Sequence, residues 1–452
     1  MSHYKPYPAY KDSGIEWIGQ VPEGWKIISI KCLEGNSANV VQTGPFGAQL
    51  HADDYVDEGV PLILIRNVRD MRIDDTNIPQ VSLSDAERLS MYRLREGDIV
   101  FSRVGSIGRI ALCTERENGW LISGQMLRLR MTNLSVDKKF VAYAFESPSL
   151  LTFVELQSVG STRESINTEI LRNMPLPIPD IIEQREISAF LDRQTARIDA
   201  LITKKTRFIE LLKEKRQALI THAVTKGLDP NVKMKDSGVE WIGEVPEKWE
   251  AVKISHIGKL TKANGGSKQD NVDSGISCIR YGDLYTTHEY IIRKSRSYIE
   301  EGKLDEYTAI QYGDALFAAS GETFEDIGRS AVNLLKEDAC CGGDVIVLKP
   351  SKDIDPLFLG YALDSIPSKY QKALMGRGYT VVHIYTEQLR DLIVAVPPSF
   401  EQKTIGIALD RQTARIDLII EKTQRSIDLL RERRSALITA AVTGQIDLRE
   451  TI

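Results

Sequence analysis

The chain has 452 residues, enough for about three average domains, and its 42% hydrophobic and 27% charged residues are the makeup of a folded globular protein. A small single module and a disordered chain are both excluded. The net charge of −5 gives no overall basic signature of a nucleic-acid binder, yet such contacts follow local patches rather than the sum.

Five cysteines, at Cys32, Cys113, Cys278, Cys340 and Cys341, form no Cys-x-x-Cys pair, so neither a disulfide framework nor a zinc site is expected. Reduced thiols in the cytoplasm are the simplest expectation. The first residues, Met1-Ser-His-Tyr-Lys-Pro-Tyr-Pro8, are polar, and no run nears the roughly 20 apolar residues of a membrane span, so a soluble cytoplasmic protein without membrane contact is expected.

The first recognisable segment, Lys11-Asp-Ser-Gly-Ile-Glu-Trp-Ile-Gly-Gln-Val-Pro-Glu-Gly-Trp25, recurs 224 residues on, from Lys235 to Trp249. The two copies hold Trp17, Trp25, Trp241 and Trp249, whose rings suit packing of an insert against a helix end or contact with a partner protein. Leu191-Asp-Arg-Gln-Thr-Ala-Arg-Ile-Asp199 recurs 218 residues on, at Leu409–Asp417, and Ala218–Thr225 matches Ala436–Thr443 at the same spacing. Between these repeated blocks the halves hardly match. Matched ends around unlike middles imply a shared assembly frame that carries two different binding faces.

Residues 26–178 and 250–396, the unlike middles, read as mixed α/β with short strands. Strands are expected at Val60–Ile65, Asp98–Ser102 and Leu127–Met131, then at Asp314–Ala318 and Asp344–Leu348. Three loop classes recur at matched places and carry donors suited to bases or phosphates. They are Arg66-Asn67-Val-Arg69 with Arg280-Tyr281-Gly-Asp283; the glycine-rich turns Ser102–Arg109 and Ser320–Arg329; and Gly160–Ser165 with Gly376–Thr380.

Each middle leads into a long helix. The spacing gives a heptad seam through Ile187, Leu191, Gln194, Ile198, Leu201, Lys205, Phe208, Leu212, Lys215, Leu219 and His222. Its copy runs through Ile405, Leu409, Gln412, Ile416, Ile419, Thr423, Ser426, Leu430, Arg433, Leu437 and Ala440. Asp180 with Glu183 and Ser399 with Gln402 have capping-box spacing behind Pro179 and Pro398, and Gly227 and Gly444 stand at the stops. About 40 residues make a rod of roughly 60 Å, whose economical partner is its own copy. Polar seam residues such as Lys205 and Arg433 suit a protein partner instead.

The fold class expected is therefore α/β (α+β): two mixed α/β recognition domains separated by two long helices that form an antiparallel coiled coil, with internal two-fold pseudo-symmetry. The boundaries are 1–25 for the N-terminal block, 26–182 for the first domain, 183–226 for the first helix, 227–250 for the central block, 251–398 for the second domain, 399–443 for the second helix and 444–452 for the tail. In that order the N-terminal block meets the end of the second helix as the central block meets the end of the first.

Catalytic motifs are missing. There is no Gly-x-x-x-x-Gly-Lys-[Ser/Thr] loop and no Gly-x-Gly-x-x-Gly after a strand. Val396-Pro-Pro-Ser-Phe400 lacks the preceding Asp or Asn of an amino-methyltransferase core, and the six histidines have no metal spacing.

Together, the Asp-Ser-Gly-x-Glu-Trp-Ile-Gly-x-Val-Pro-x-x-Trp blocks, the Leu-Asp-x-x-Thr-Ala-x-Ile-Asp helices and the turn Gly97-Asp-Ile-Val-Phe-Ser-Arg-Val-Gly105 resemble the specificity subunit of a type I restriction-modification enzyme, over essentially the whole chain. The resemblance implies a non-catalytic chain in which each insert reads one half of a bipartite, asymmetric site in double-stranded DNA. It implies that the helices fix the unread spacer and that the frame docks two methyltransferase subunits and, through them, restriction subunits. S-adenosylmethionine, ATP and magnesium would belong to those partners, with no cofactor or metal in this chain.

Gly97-Asp98 through Gly108-Arg109 fit the family turn, whereas Ala319 replaces Arg103 in the second copy, and Gly44-Pro-Phe-Gly47 faces Asn264-Gly-Gly-Ser267. The DNA-contact candidates are Gly44, Phe46, Gln49, Arg66, Asn67, Arg69, Arg103, Ser106, Arg109, Thr162 and Arg163 in the first half. In the second they are Asn264, Lys268, Arg280, Tyr281, Ser320, Thr323, Arg329, Arg377 and Tyr379. The partner-contact candidates are Trp17, Trp25, Trp241, Trp249, Lys205 and Arg433. Two competing classes remain at this point: a self-contained DNA methyltransferase or nuclease with duplicated recognition domains, and a coiled-coil scaffold that binds no DNA.

Overall fold

A computed structural model describes residues 4–16, 18–33, 41–46, 49–69, 71–104, 108–148, 152–153, 166–266, 268–351, 353–378 and 380–449. They form two units, Met1–Lys205 with Arg425–Ile452, and Thr206–Gln424. The long helices Ile181–Lys226 and Ser399–Val442 each contribute one part to either unit.

In the first unit, Ile110–Leu112, Ile99–Ser102, Met126–Leu129 and Val41–Thr43 form one antiparallel sheet in that order. A second sheet orders Leu121–Ile122, Val60–Ile63, Gln80–Val81 and Tyr55–Val56, and its first pair is parallel. The second unit repeats the scheme with a five-stranded sheet built around Val345–Pro350, Ala315–Ala318 and Ser330–Asn333. Its other sheet pairs Ile276–Ile279 in parallel with Ala339–Cys341. Ile99–Ser102 and Ala315–Ala318 are buried at every position, which explains why they read as unbroken apolar runs rather than alternating strands.

Leu127–Met131 looks alternating in sequence, but Arg128 is only 3% exposed. Its guanidinium donates to the carbonyls of Met91 (3.0 Å) and Arg93 (3.2 Å) and to Gln42 Oε1 (2.5 Å), and burial lowers its pKa to about 10. It staples the strand to its surroundings rather than facing solvent.

The repeated sequence folds twice in the same way. Tyr10–Asp12 pairs with Gln20–Pro22, and Met234–Asp236 with Glu244–Pro246, in matching register. Trp25 and Trp249 follow these hairpins, are 1% and 0% exposed, and donate their indole N–H to Glu183 (3.3 Å) and Glu401 (2.7 Å). The core around Trp25 contains Leu437, Ile438 and Ala441 from the end of the second helix, and the core around Trp249 contains Ile220, Ala223 and Val224 from the end of the first. Gly444 and Gly227, at φ +72° and +77°, stop the helices beside those rings in a left-handed conformation that suits glycine.

Within each unit the two helices run antiparallel. In the first, Ile187 and Leu191 share a core with Leu437, Ile438 and Ala441 while the later Asp199 pairs with the earlier Arg434 (3.0 Å); in the second, Arg216 pairs with Asp417 (2.6 Å) while the later Ile220 and Val224 share a core with the earlier Ile405 and Leu409. Asp199 and Asp417 are repeat equivalents, as are Arg216 and Arg434. The frame therefore pairs with its own copy through reciprocal contacts.

Three expectations need correction. The buried face passes through Thr195 and Thr413, Ile209 and Ile427, and the Arg216 and Arg434 positions, while Leu201 and Phe208 are exposed. Ile187, Leu191, Ile198, Leu212, Ile405, Leu409, Ile416 and Leu437 are buried as the seam places them, but at 194, 208 and 215 and their copies the inward residue is one further along, with the threonine hydroxyls buried against Tyr143 and Tyr361. Arg433 is consequently an exposed off-seam residue and Arg434 the seam arginine. Finally, Gln402 makes no capping box: its side chain donates to Pro397 O and accepts from Asp355 N, as Gln184 does with Pro179 O and Asp137 N.

Candidate nucleic-acid interface

Each unit carries one backbone junction where three chain segments meet. In the first, Arg103 N donates to Gln125 O (3.0 Å) and Ile166 N donates to Arg103 O (2.9 Å). In the second, Ala319 N donates to Asp344 O (2.9 Å) and Ile384 N donates to Ala319 O (2.9 Å). The preceding Gly-Asp turns also match: the carboxylates of Asp98 and Asp314 accept from Arg95 N and Gln311 N, both at 2.8 Å. Ser102 N to Arg109 O and Ala318 N to Arg329 O close the glycine-rich turns in the same manner. A common lattice thus holds Arg103 and Gln125 in one unit and Ala319 and Asp344 in the other.

Around Arg103 the first unit gathers several candidates. Its guanidinium lies 5.0 Å above the exposed ring of Phe46, and its Nε is buried without a hydrogen-bond partner among the described residues. Gly44 is required there, since a Cβ would lie 2.1 Å from Ser123 O. Gln49 is turned elsewhere, accepting from Tyr92 OH (3.0 Å).

The first loop class is mainly structural. Asn67 is 2% exposed, accepts from Leu64 N (3.1 Å) and donates to Asp74 O (2.9 Å), so it holds a turn and presents no edge to a base. Arg66 donates to Asn77 O (3.2 Å). Its expected counterpart is displaced: Asp283 accepts from Arg280 N (3.0 Å) as Asn67 does from Leu64 N, so Arg280 matches Leu64 rather than Arg66. Arg69 is exposed and lines a cleft with Arg72, Asp74, Arg431 and Arg434, among other residues, apart from the Arg103 junction.

In the second unit all three loop classes converge. Tyr281, 43% exposed, and Arg280 line a cleft of about 660 Å³ with Arg296, Asp344 and the glycine turns at 265–266 and 342–343. Asn264 is exposed beside that cleft. Arg280 is held by Asn271 Oδ1, at 3.0 Å from Nε and 2.6 Å from Nη2. Tyr285 OH donates to Ser320 O (3.0 Å) and Arg329 donates to Tyr285 O (2.9 Å), tying the turn at 320–329 to the helix Tyr281–Thr286. Thr323 is exposed, and the exposed Arg377 exchanges backbone bonds with His383. Ser320 is 7% exposed and turned inward to Asp344 and His383.

Ser106, Thr162, Arg163, Tyr379 and Trp17 lie outside the described residues, and of Lys268 only the backbone is described. Trp241 is 38% exposed, with its ring 6.1 Å from Tyr370, and Lys205 is half-buried. Trp25 and Trp249 are corrected as partner-contact residues, because a fully buried indole bonded to a helix carboxylate offers no surface. Sequence reasoning passed over Gln125, Asp344 and His383. Asp344 opens the strand expected at Asp344–Leu348, Gln125 stands two residues before the strand expected at Leu127–Met131, and His383 stands three residues past the loop Gly376–Thr380.

Residues 54–211 and 246–427 match the model of the type I restriction modification DNA specificity domain. The chain belongs to this family. It is similar, at 23% identity over 447 residues and 96% of both chains, to the putative type I restriction enzyme MjaX specificity subunit of Methanocaldococcus jannaschii. The EcoKI specificity subunit of Escherichia coli K12 is 21% identical over 444 residues, covering 95% of this chain and 90% of that one. Among solved structures, a chain from work on complex assembly and conformational transition of the type I R-M system superposes with TM-score 0.69 at 15% identity, over 94% of this chain and 99% of that one. The HsdS subunit of Thermoanaerobacter tengcongensis gives TM-score 0.50 at 15% identity, over 94% and 98%. The chain is thus a DNA specificity subunit, the non-catalytic part of a type I restriction-modification enzyme, with the mixed α/β fold and paired long helices of that family. Among the described residues, no helix is long and apolar enough to cross a membrane.

Proposed function

We propose that the two junctions read the two halves of a bipartite, asymmetric sequence in double-stranded DNA. The observation that carries this is the pair of matched backbone lattices with unlike side chains, Arg103 with Phe46 and Gln125 in one and Ala319 with Ser320, Asp344 and His383 in the other. One scaffold carrying two chemistries is what two different half-sites need. Gly44, Phe46, Arg103 and Arg109, with Ser106, Thr162 and Arg163, belong to the first reader. Asn264, Lys268, Arg280, Tyr281, Thr323, Arg329, Arg377 and Tyr379 belong to the second, with Arg280, Arg329 and Ser320 partly spent on holding its loops.

The domains are taken as 26–182 and 251–398, with the helices 183–226 and 399–443 fixing the unread spacer. The frame, with Trp241, Lys205 and Arg433 on its surface, docks two methyltransferase subunits, and restriction subunits join through them. S-adenosylmethionine, ATP and magnesium reside on those partners, and the complex works in the cytoplasm. A net charge of −5 does not oppose this, since phosphate contacts are shared with partner chains.

The test is selection from random duplexes by the chain assembled with its methyltransferase subunits, comparing wild type with Arg103→Ala. Wild type should enrich two fixed blocks around a spacer of constant length. Arg103→Ala should relax one block, with roughly tenfold less discrimination at one position, and leave the other block unchanged. Methylation by the isolated chain, or enrichment of one unbroken sequence, would contradict the proposal.

A further inference from the structure

Three groups of the second unit that are distant in sequence meet at its junction. Ser320 Oγ donates to Asp344 Oδ2 at 3.0 Å, and His383 Nδ1 lies 3.0 Å from the same Oγ. The order excludes a hydrolytic triad, because the serine proton is committed to the carboxylate and not to the imidazole. It has another consequence. A hydroxyl has one proton, and a carboxylate can only accept. Ser320 therefore spends its proton on Asp344 and meets His383 with a lone pair, so the proton on the imidazole must sit at Nδ1. In the neutral ring, Nε2 is left as an acceptor.

The surroundings place this ring at the reading surface and not in the core. His383 is half-buried, between the exposed side chains of Val381 (46%) and Tyr385 (51%). Its backbone is paired to the exposed Arg377, and the Tyr385 ring lies nearly parallel to it at 6.3 Å. Among the described residues no group bonds Nε2. The first unit has no such relay, since Val104 stands where Ser320 does and Gln125 where Asp344 does.

Resting on the DNA-reading function proposed above, we infer that His383 is a specificity-determining residue of the second half-site: Nε2 accepts a hydrogen bond from the exocyclic amino group of a base, adenine N6 or cytosine N4, exposed in the major groove. Ser320 and Asp344 are its positioning residues, which lock the tautomer so that the ring rejects a base edge presenting only acceptors at that point.

The full chain assembled with its methyltransferase subunits is tested on the duplex that wild type selects. At each position of the second half-site in turn, the adenine or cytosine is replaced by an analogue lacking its amino group. Wild type should lose roughly five- to tenfold in affinity at one such position, His383→Ala should lose about as much on the natural duplex, and the two losses should not add. Ser320→Ala should show a weaker form of the same coupling, with the first half-site unaffected in both variants. If His383→Ala binds the natural duplex as wild type does, or weakens it while every amino-group deletion keeps its full effect, the inference is overturned and His383 is structural. If wild type selects no sequence at all, the parent reading fails and this one with it.

Discussion

Lys372 makes the sharpest test of how the second reader is held together. Its side chain is fully buried, and its ammonium donates to Gly328 O (2.7 Å), Leu363 O (3.0 Å), Asp364 Oδ1 (3.1 Å) and Ser330 Oγ (3.4 Å). Burial pulls its pKa down and Asp364 opposes that shift. These bonds fasten the root of the 320–329 turn to the helix Ile366–Met375, which feeds the segment running to His383. Lys372→Met keeps the stem and leaves little cavity, so the loss is electrostatic. Removing one partner of a buried ion pair costs about 3–5 kcal/mol. Asp364 is 4% exposed but retains Lys369 at 3.2 Å, which places the expected cost near the lower end, about 3 kcal/mol. Hydrogen exchange read by mass spectrometry should then show amides of Ser330–Asn333, Pro356–Leu363 and Ile366–Met375 exchanging roughly a hundredfold faster, since each 1.4 kcal/mol is about a factor of ten. Lys138–Glu146 in the first unit should be unchanged. Protection within threefold of wild type in the second unit, or an equal loss in both, would refute the argument that this ammonium ties the two loops.

Two further outcomes follow from burial differences. Arg434 and Glu146 are 15% and 17% exposed and 2.5 Å apart, whereas the partners of Arg216, Glu289 and Asp417, are 46% and 48% exposed. Arg434→Met should therefore destabilise the first unit by about 2–3 kcal/mol, and the equivalent Arg216→Met the second by under about 1 kcal/mol, as read by exchange in each unit. His288 is 6% exposed, and burial lowers its pKa below the usual 6.5, with Asp283 opposing. The unfolded chain then binds the proton more readily, so stability is lost as pH falls through 6.5 toward the lowered folded value. Calorimetry between about pH 7 and 5 should show that loss in wild type and a flatter profile in His288→Leu; parallel profiles would remove His288 as the cause.

The frame was legible because it is written twice, and a repeat needs no knowledge of contacts. Tryptophan blocks, helix stops at Gly227 and Gly444 and the antiparallel pairing all follow from it. Part of the seam was misplaced by one residue because counting apolar side chains cannot see that Thr195 and Thr413 are buried against tyrosine hydroxyls. Asn67 and Arg280 show a related blindness. A residue type suited to base edges is equally suited to capping a turn or bonding a neighbouring asparagine, and only the folded chain separates the uses. The Ser320–Asp344–His383 relay was invisible for another reason: Ser320 and His383 come from two short strands paired with each other and Asp344 from a turn, with no fixed spacing between them.

The two junctions also explain how such a chain can hold unlike readers without changing its fold. From Ser102 to Arg109 the turn advances 7 residues and from Ala318 to Arg329 it advances 11, yet the same backbone bond closes both. Backbone bonds do not depend on side-chain identity, and lengthening a surface loop costs little, about 0.6 kcal/mol per doubling. Loop length and side chains at the junction are therefore nearly free to vary. The frame is the opposite case, since the buried indoles of Trp25 and Trp249 depend on the half-buried carboxylates of Glu183 and Glu401. Replacing the glutamate leaves a buried indole N–H without its partner, at about 1–3 kcal/mol. Sequence identity at the ends and divergence in the middles then follow from which contacts are made by side chains and which by the backbone.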